Sequence, residues 1–271
     1  MSSPPGALAT SPQALPAGFR PRRYVATNQK GGQGKSTTAV NLGAEFAHMG
    51  LQVRIWDCDP QLGSATFWLP PQWDGADRER FDLLHVLMGE VTPAAATWPT
   101  TVPGLSIVPS FKTLAQFEVL RPPGAELVLR QAIDRSVPHD VEIVDCAPNL
   151  GLLTVAGITA ADEIIITCKP GGLDMAGVSD LNATLKLVRD RLNPALRVTA
   201  VVICDKLRST LAGEVERQLQ ADYPDALHQS IRHTVRVGEA PFEHKPLREY
   251  APRATATTDY RALAGRLAEL P

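Results

Sequence analysis

Six short stretches of this chain are apolar and β-branched with little polar interruption: RYVATNQ (23–29), QVRIWDCD (52–59), LSIVPS (105–110), VEIVDCAP (141–148), EIIITCK (163–169) and RVTAVVICD (197–205). Strands buried on both faces read this way, whereas strands with one wet face alternate. Most of the intervals between them carry helical periodicity. Ser36 to Met49 is one such stretch, closed by Gly50, a residue suited to the left-handed position that ends a helix. Asp174 to Leu192 is another, with Met175, Val178, Leu181, Leu185, Val188 and Leu192 at three- and four-residue steps, the stripe of a helix lying on a sheet. Parallel strands need crossover connections, so this alternation predicts an α/β fold: a doubly wound, mostly parallel sheet flanked by helices.

The pattern predicts one domain over 20–271. Residues 1–19, rich in Pro, Ser, Ala and Gly and without a charged side chain, are expected to form a flexible tail. Residues 67–104 interrupt the alternation between the second and third strands. They hold PPQW, the charged run DGADRERF, the short helix candidate DLLHVLMGE and three of the four tryptophans, and are expected to pack as a cap on the domain edge.

Composition narrows the class without naming the chemistry. Hydrophobic residues at 44% and charged residues at 21% are ordinary for a globular protein. No run approaches the roughly 18 apolar residues of a membrane span, and the first residues lack the basic start and apolar core of a secretion signal, so a cytoplasmic location is expected. Cys58, Cys146, Cys168 and Cys204 lie in or just after apolar runs and form no CxxC pair, which predicts buried, reduced thiols. A net charge of −2 gives no bulk attraction for nucleic acid, although residues 186–271 hold 14 Lys or Arg against 11 Asp or Glu.

The chemistry enters where the first strand ends. Lys30-Gly31-Gly32-Gln33-Gly34-Lys35-Ser36 leads into a helix, at the carboxyl edge where such sheets bind ligands. Glycines let backbone N–H groups converge on phosphate oxygens, and the helix presents the positive end of its dipole to the same place. Lys35 is expected to reach the β- and γ-phosphates of ATP, Ser36 to place a hydroxyl on Mg²⁺, and Thr37 to add a donor. Gln29 stands where GxxxxGK[ST] has its first glycine, so the loop is a variant form. Two strand-end carboxylates complete the set. Asp145 suits the metal, through a water, and Asp59 the positioning of the attacking water, with Asp57 undecided between function and capping.

These residues resemble a known family. KGGQGKSTTAVNLGAEFAHMG, WDCDPQ, DCAPNLGLLT and VGEAPFEHKPLREYAP are similar, in order and over nearly the whole chain from about Tyr24, to the ParA group of partition ATPases, deviant P-loop NTPases that also include MinD. The resemblance implies an ATPase that binds ATP and Mg²⁺, forms a face-to-face homodimer around two nucleotides and then binds DNA without sequence preference. It implies that Lys30 reaches across the dimer to the partner's phosphates while Lys35 acts in cis, an arrangement that couples catalysis to association. It places Pro241 near the adenine with Asp205 beside it, and it implies a ParB-like adaptor, slow partner-stimulated hydrolysis and nucleoid association. Lys206, Arg208, Arg236, Arg248 and Arg253 are the candidate contacts to DNA phosphates, the family match in SIRHTVRVGEAP supporting Arg236.

Departures from the family pattern carry expectations of their own. The segment before Tyr24 is too short for the helix-turn-helix of the larger members, which argues against autorepression through operator DNA. Glu142 stands where an aliphatic residue is usual and is expected to face a sheet edge, and His233 stands where a basic residue is frequent. A MinD-like membrane switch needs a basic amphipathic helix at the end of the chain. The segment TATTDYRALAGRLAEL instead sets Tyr260, Leu263, Leu267 and Leu270 on one face and has no Trp or Phe anchor, so it is expected to pack on the domain rather than on a membrane. A protein-cargo positioning ATPase, and a metabolic P-loop enzyme of the dethiobiotin synthetase type, remain the other functional classes.

Overall fold

The computed structural model describes residues 20–73, 79–171 and 174–271, apart from the side chains of 174–179. The expected tail, part of the charged run, and Met175 and Val178 of the helical stripe lie outside the described residues. The chain runs β1 (Arg22–Thr27), α1 (Lys35–His48), β2 (Val53–Cys58), α2 (Ala65–Trp68), α3 (Leu83–Leu87), α4 (Pro93–Ala96), β3 (Trp98–Pro99) and β4 (Leu105–Val108). It continues through α5 (Ala115–Leu120), α6 (Ala125–Asp134), β5 (Val141–Cys146), α7 (Leu152–Ala160), β6 (Glu163–Cys168), α8 (Asp174–Arg191) and β7 (Arg197–Lys206). It closes with α9 (Thr210–Asp222), β8 (Leu227–Arg232), α10 (Arg236–Glu239), α11 (Leu247–Tyr250) and α12 (Thr255–Ala268).

The strands form one sheet in the order β3-β4-β2-β5-β1-β6-β7-β8, parallel throughout except where β3 pairs antiparallel with β4. From β1 the chain winds first toward β2, β4 and β5, then toward β6, β7 and β8, so the direction of winding reverses beside β1. The crevice that such a reversal opens lies at the carboxyl end of that strand. The six apolar stretches are all strands, and β1, β2, β5 and β6 are buried along almost their full length. Alternate strand residues feed two cores, which is why these strands read as continuous apolar runs. Val25, Trp56, Val144 and Ile164 pack with α3 and α5–α9, while Tyr24, Ile55, Ile143 and Ile165 pack with α1 and α12. Leu181, Leu185 and Val188 of the predicted stripe are buried in the first core. Tyr260, Leu263 and Leu267 of α12 are buried in the second, with Leu270 packed against it. No helix among the described residues is long and apolar enough to cross a membrane.

Two strands were not legible as apolar runs. β3 is two residues long, and β8, LHQSIR, is an edge strand, half-buried along most of its length and correspondingly polar. In the interval 67–104, Trp68 and Trp98 are buried and donate to the carbonyls of Lys245 and Phe81, and Trp73 packs on Trp98 with ring centroids 4.4 Å apart.

Glu142 does not face an edge. It lies buried in β5 between β1 and β2, in register with Arg54 of β2. Arg54 donates Nε to Oε2 at 3.0 Å and Nη2 to Oε1 at 2.6 Å, the Trp56 indole donates to Oε2 at 2.7 Å, and the guanidinium lies 4.7 Å from the Trp56 ring centroid. Both charges are thus satisfied inside the sheet. Removing one partner of such a pair leaves the other buried and uncompensated, at about 3–5 kcal/mol. Glu142→Ala is therefore expected to lower unfolding free energy in urea by that amount, with Arg54→Met/Glu142→Leu recovering most of it. A loss under about 1 kcal/mol in the single variant contradicts this account.

Candidate active site

The loop after β1 is shaped by two glycines in the left-handed region, Gly32 (φ 73°) and Gly34 (φ 88°). Gly34 caps α1, so the free N–H groups of the helix's first turn face the loop. A Cβ on Gly34 would stand 2.5 Å from Cys204 Sγ, so space and dihedral both demand glycine there. Asn28 anchors the start of the loop: its amide donates to the Thr167 carbonyl of β6 and its Oδ1 accepts from Lys30 N at 3.0 Å. Lys35 is buried and donates Nζ to the Lys30 carbonyl at 3.1 Å. Burial lowers its pKa, against the opposing pull of Asp145 and Asp59.

In-register pairing sets Asp57 of β2 directly beside Asp145 of β5. Asp57 is structural. It accepts from Ser64 Oγ (2.6 Å), Thr66 Oγ1 (2.5 Å), Thr66 N (2.7 Å) and Asp59 N (3.0 Å), and so folds the 59–66 segment over the strand ends. Burial raises its pKa to about 6 despite those bonds. Asp59 accepts from Gln61 N at 3.0 Å and is raised by burial as well. Asp145 is fully buried and pushed well above the carboxylate range, by burial and then by Asp57, with the Ser36 side chain and Lys35 pulling it down. Its Oδ2 accepts from Ala65 N at 3.2 Å, whereas its Oδ1 is buried with no hydrogen-bond partner among the described residues. An orphaned buried oxygen beside the Ser36 side chain fits a cation reached through a water. Mg²⁺ keeps waters and takes phosphate oxygens, so a hydroxyl and a carboxylate reached through a water suffice as its protein partners.

Gly31, Gly32, Gln33, Gly34, Lys35, Ser36, Thr37 and Asp59 all line one cavity of about 570 Å³. Its opposite wall comes from the ends of β6, β7 and β8: Lys169, Asp205, His233, Thr234, Val235, Val237 and Gly238, with Tyr260 of α12. Asp205 lies on this wall. Pro241 does not line the cavity; it lies in the 3₁₀ turn Ala240–Glu243, and the wall is made by the residues just before it. Lys169, His233 and Tyr260 were missed in the sequence. Lys169 follows the apolar run of β6 just as Asp59 follows that of β2, so the same strand-end rule could have found it. Lys30 is half-buried and does not line the cavity.

The five candidate DNA contacts are dispersed. Lys206 donates to Glu216 at 2.5 Å and to Ser230 at 3.2 Å, and Arg248 donates to the buried Glu45 at 2.6 Å. Arg208 is exposed in the turn after β7. Arg236 and Arg253 line one surface hollow with Thr234 and Tyr250, Arg236 also pairing with Glu239 at 2.7 Å.

The loop's dependence on Gly34 is directly testable. Gly34→Ala adds a left-handed backbone penalty of about 1–2 kcal/mol to a clash with Cys204. It is expected to lower the melting temperature and to abolish the further rise that ATP and Mg²⁺ give the wild type in differential scanning fluorimetry. An unchanged melting temperature and an intact ATP-induced rise would refute it.

Comparison with known proteins agrees with this geometry. A family model described as an AAA domain matches residues 22–198. The chromosome partitioning protein ParA of Caulobacter vibrioides is 34% identical over 253 residues, covering 90% of this chain and 93% of that one. The sporulation initiation inhibitor protein Soj of Bacillus subtilis is 34% identical over 247 residues, covering 89% and 96%. Among solved structures, cobyrinic acid a,c-diamide synthase of Mycobacterium smegmatis with bound ADP and magnesium superposes with a TM-score of 0.75 at 28% identity, over 91% of this chain and 93% of that one. The fold, the phosphate loop with its strand-end carboxylates, and these relatives together establish that the chain belongs to the ParA-type partition ATPases.

Proposed function

We propose that this protein is an ATP-operated switch that segregates or positions DNA. In this reading it binds ATP with Mg²⁺ and pairs face to face with a second copy around two nucleotides. The paired form holds nonspecific DNA and lets go when a ParB-like adaptor stimulates an otherwise slow hydrolysis. The observation that carries the reading is the division between the two lysines. Lys35 lines the cavity of its own chain, whereas Lys30 stays outside it while lending Lys35 a carbonyl. A lysine required by the loop motif yet absent from its own cavity fits a role in trans, which makes turnover depend on association.

Within one protomer the residues divide the work. Loop N–H groups and Lys35 would hold the phosphates, with Thr37 adding a donor. Ser36 and, through a water, Asp145 would hold Mg²⁺, which supplies charge neutralisation on the β- and γ-phosphates when bound. Asp59, whose Oδ1 accepts from Gln61 N, would orient the attacking water through Oδ2. Arg236 and Arg253, sharing one hollow, are the foremost candidates for DNA phosphates, ahead of Arg208 and of the ion-paired Lys206 and Arg248.

The name of the Mycobacterium smegmatis relative favours a second reading, a small-molecule synthase that consumes ATP. DNA retention separates the two. With ATP and Mg²⁺, but not with ADP or without nucleotide, wild type is expected to be retained on a nonspecific duplex and to size as a dimer. Asp59→Ala should lock that state and Lys30→Ala should abolish it. Retention should fall steeply with salt, as phosphate contacts require. ATP-independent retention, or no change in sizing or retention with ATP, sinks the switch reading and favours the synthase.

A further inference from the structure

The four residues of α2 are bonded at both ends. At the start of the turn, Asp145 Oδ2 accepts from Ala65 N at 3.2 Å and Asp57 Oδ2 accepts from Thr66 N at 2.7 Å. At its other end, the Trp68 indole donates to the Lys245 carbonyl at 2.7 Å and the Phe67 carbonyl accepts from His244 Nδ1 at 2.9 Å. The Phe67 ring also meets the rings of Phe242 and His244 edge-on, with centroids 6.2 and 5.7 Å away. The segment that α2 grips is held by α1 as well. Asn41 Oδ1 accepts from Leu247 N at 2.8 Å while its amide donates to the Thr37 carbonyl at 2.7 Å, and Glu45 pairs with Arg248. Residues 244–248 are thus clamped between the helix that starts at the phosphate loop and a turn hung from the strand-end carboxylates. Directly after the clamp come Tyr250 and Arg253, which line the surface hollow with Arg236. Tyr250 Oη and Arg236 Nη1 donate to the same Glu239 oxygen, at 2.9 and 2.7 Å.

We propose that α2 is the connector through which ATP and Mg²⁺ set the position of residues 244–253, and with them the hollow of Arg236 and Arg253. The inference rests on reading the cavity as the site of ATP and Mg²⁺. The two oxygens of Asp145 have different tasks: Oδ1 is open to a cation reached through a water, while Oδ2 holds the first N–H of α2. Whatever fixes this carboxylate through one oxygen therefore fixes α2 through the other. Four residues make no helix that stands alone, so the place of α2 is set by the bonds at its two ends. Trp68 is 2% exposed, and a ring packed so closely does not shift without its neighbours. α1 is packed on the sheet along its apolar face and stays with it, so a shift of α2 alters the clamp instead of carrying both sides along. Packed contacts of this kind hold discrete arrangements and turn small shifts at an effector site into larger ones.

Hydrogen–deuterium exchange read by mass spectrometry tests this on the full chain, with and without ATP and Mg²⁺. In wild type the nucleotide is expected to slow exchange in the loop 30–37. It should also slow, by at least about fivefold, the Leu247, Tyr250 and Ala251 amides, which donate to Asn41 Oδ1 and to the carbonyls of Pro246 and Leu247. Trp68→Phe removes the indole donor, and His244→Gly removes the imidazole donor at an exposed position whose φ of 52° suits glycine. Trp68→Phe/His244→Gly is expected to keep the ATP protection of 30–37 and to lose that of 247–251. Lys30→Ala is expected to keep both, because the connection runs inside one chain. Protection of 247–251 that is missing in wild type, survives in the double variant or disappears in Lys30→Ala overturns the proposal. Should the double variant fail to unfold cooperatively, His244→Gly alone decides, and undiminished protection of 247–251 there overturns it. On a nonspecific duplex the double variant should be retained equally with and without ATP, and retention that still depends on ATP as in wild type contradicts the connector. A wild type that shows the exchange response but no ATP-dependent retention overturns the switch reading and leaves the connector standing.

Discussion

Everything at the carboxyl edge of this sheet follows from crowding like charges where water is scarce. Parallel pairing in register puts Asp57 and Asp145 side by side at the ends of neighbouring strands, with Asp59 two residues beyond and Lys35 as the nearby cation. Burial pushes all three carboxyls up. The fold responds differently at each. Asp57 is given four hydrogen-bond donors and becomes a structural hub, Asp59 is given one, and Asp145 keeps an oxygen with no partner. A buried carboxyl oxygen left open in such a place suits a cation, and the unequal satisfaction of three similar residues divides Asp57 from Asp59 and Asp145.

The amino-terminal half of the same strands solves the same problem with protein alone. Arg54 and Glu142 neutralise each other between β2 and β5, and Arg22, Arg197 and Glu163 do so near the start of β6. The closed ion pairs sit toward the amino-terminal ends of the strands, and the open carboxyl oxygen of Asp145 sits at the carboxyl end.

Much of this was legible in the sequence. Strands buried on both faces must be apolar throughout, so six of them stood out, and a glycine loop between strand and helix fixed the position of the phosphates. The stripe Leu181, Leu185, Val188 and the apolar face of α12 were legible for the same reason, since each buries one side. β8 was not, because an edge strand half-open to solvent tolerates His, Gln and Ser. Glu142 misled because a single residue does not announce its partner. Arg54 lies 88 positions away and only the register joins them. The far wall of the cavity was hidden for a similar reason. Lys169, Asp205 and His233 come from three strands, and nothing local links them, whereas the phosphate loop is contiguous.

On the proposed reading this chain completes its catalytic site only by association, with Lys30 serving the partner's nucleotide. The most direct measurement is steady-state ATP turnover per protomer across a range of protein concentration, repeated with an excess of Lys30→Ala mixed in. The account predicts turnover that rises with concentration toward a plateau and falls when Lys30→Ala displaces wild-type partners. Turnover per protomer that is independent of concentration and indifferent to the variant would place Lys30 in cis or out of the chemistry altogether.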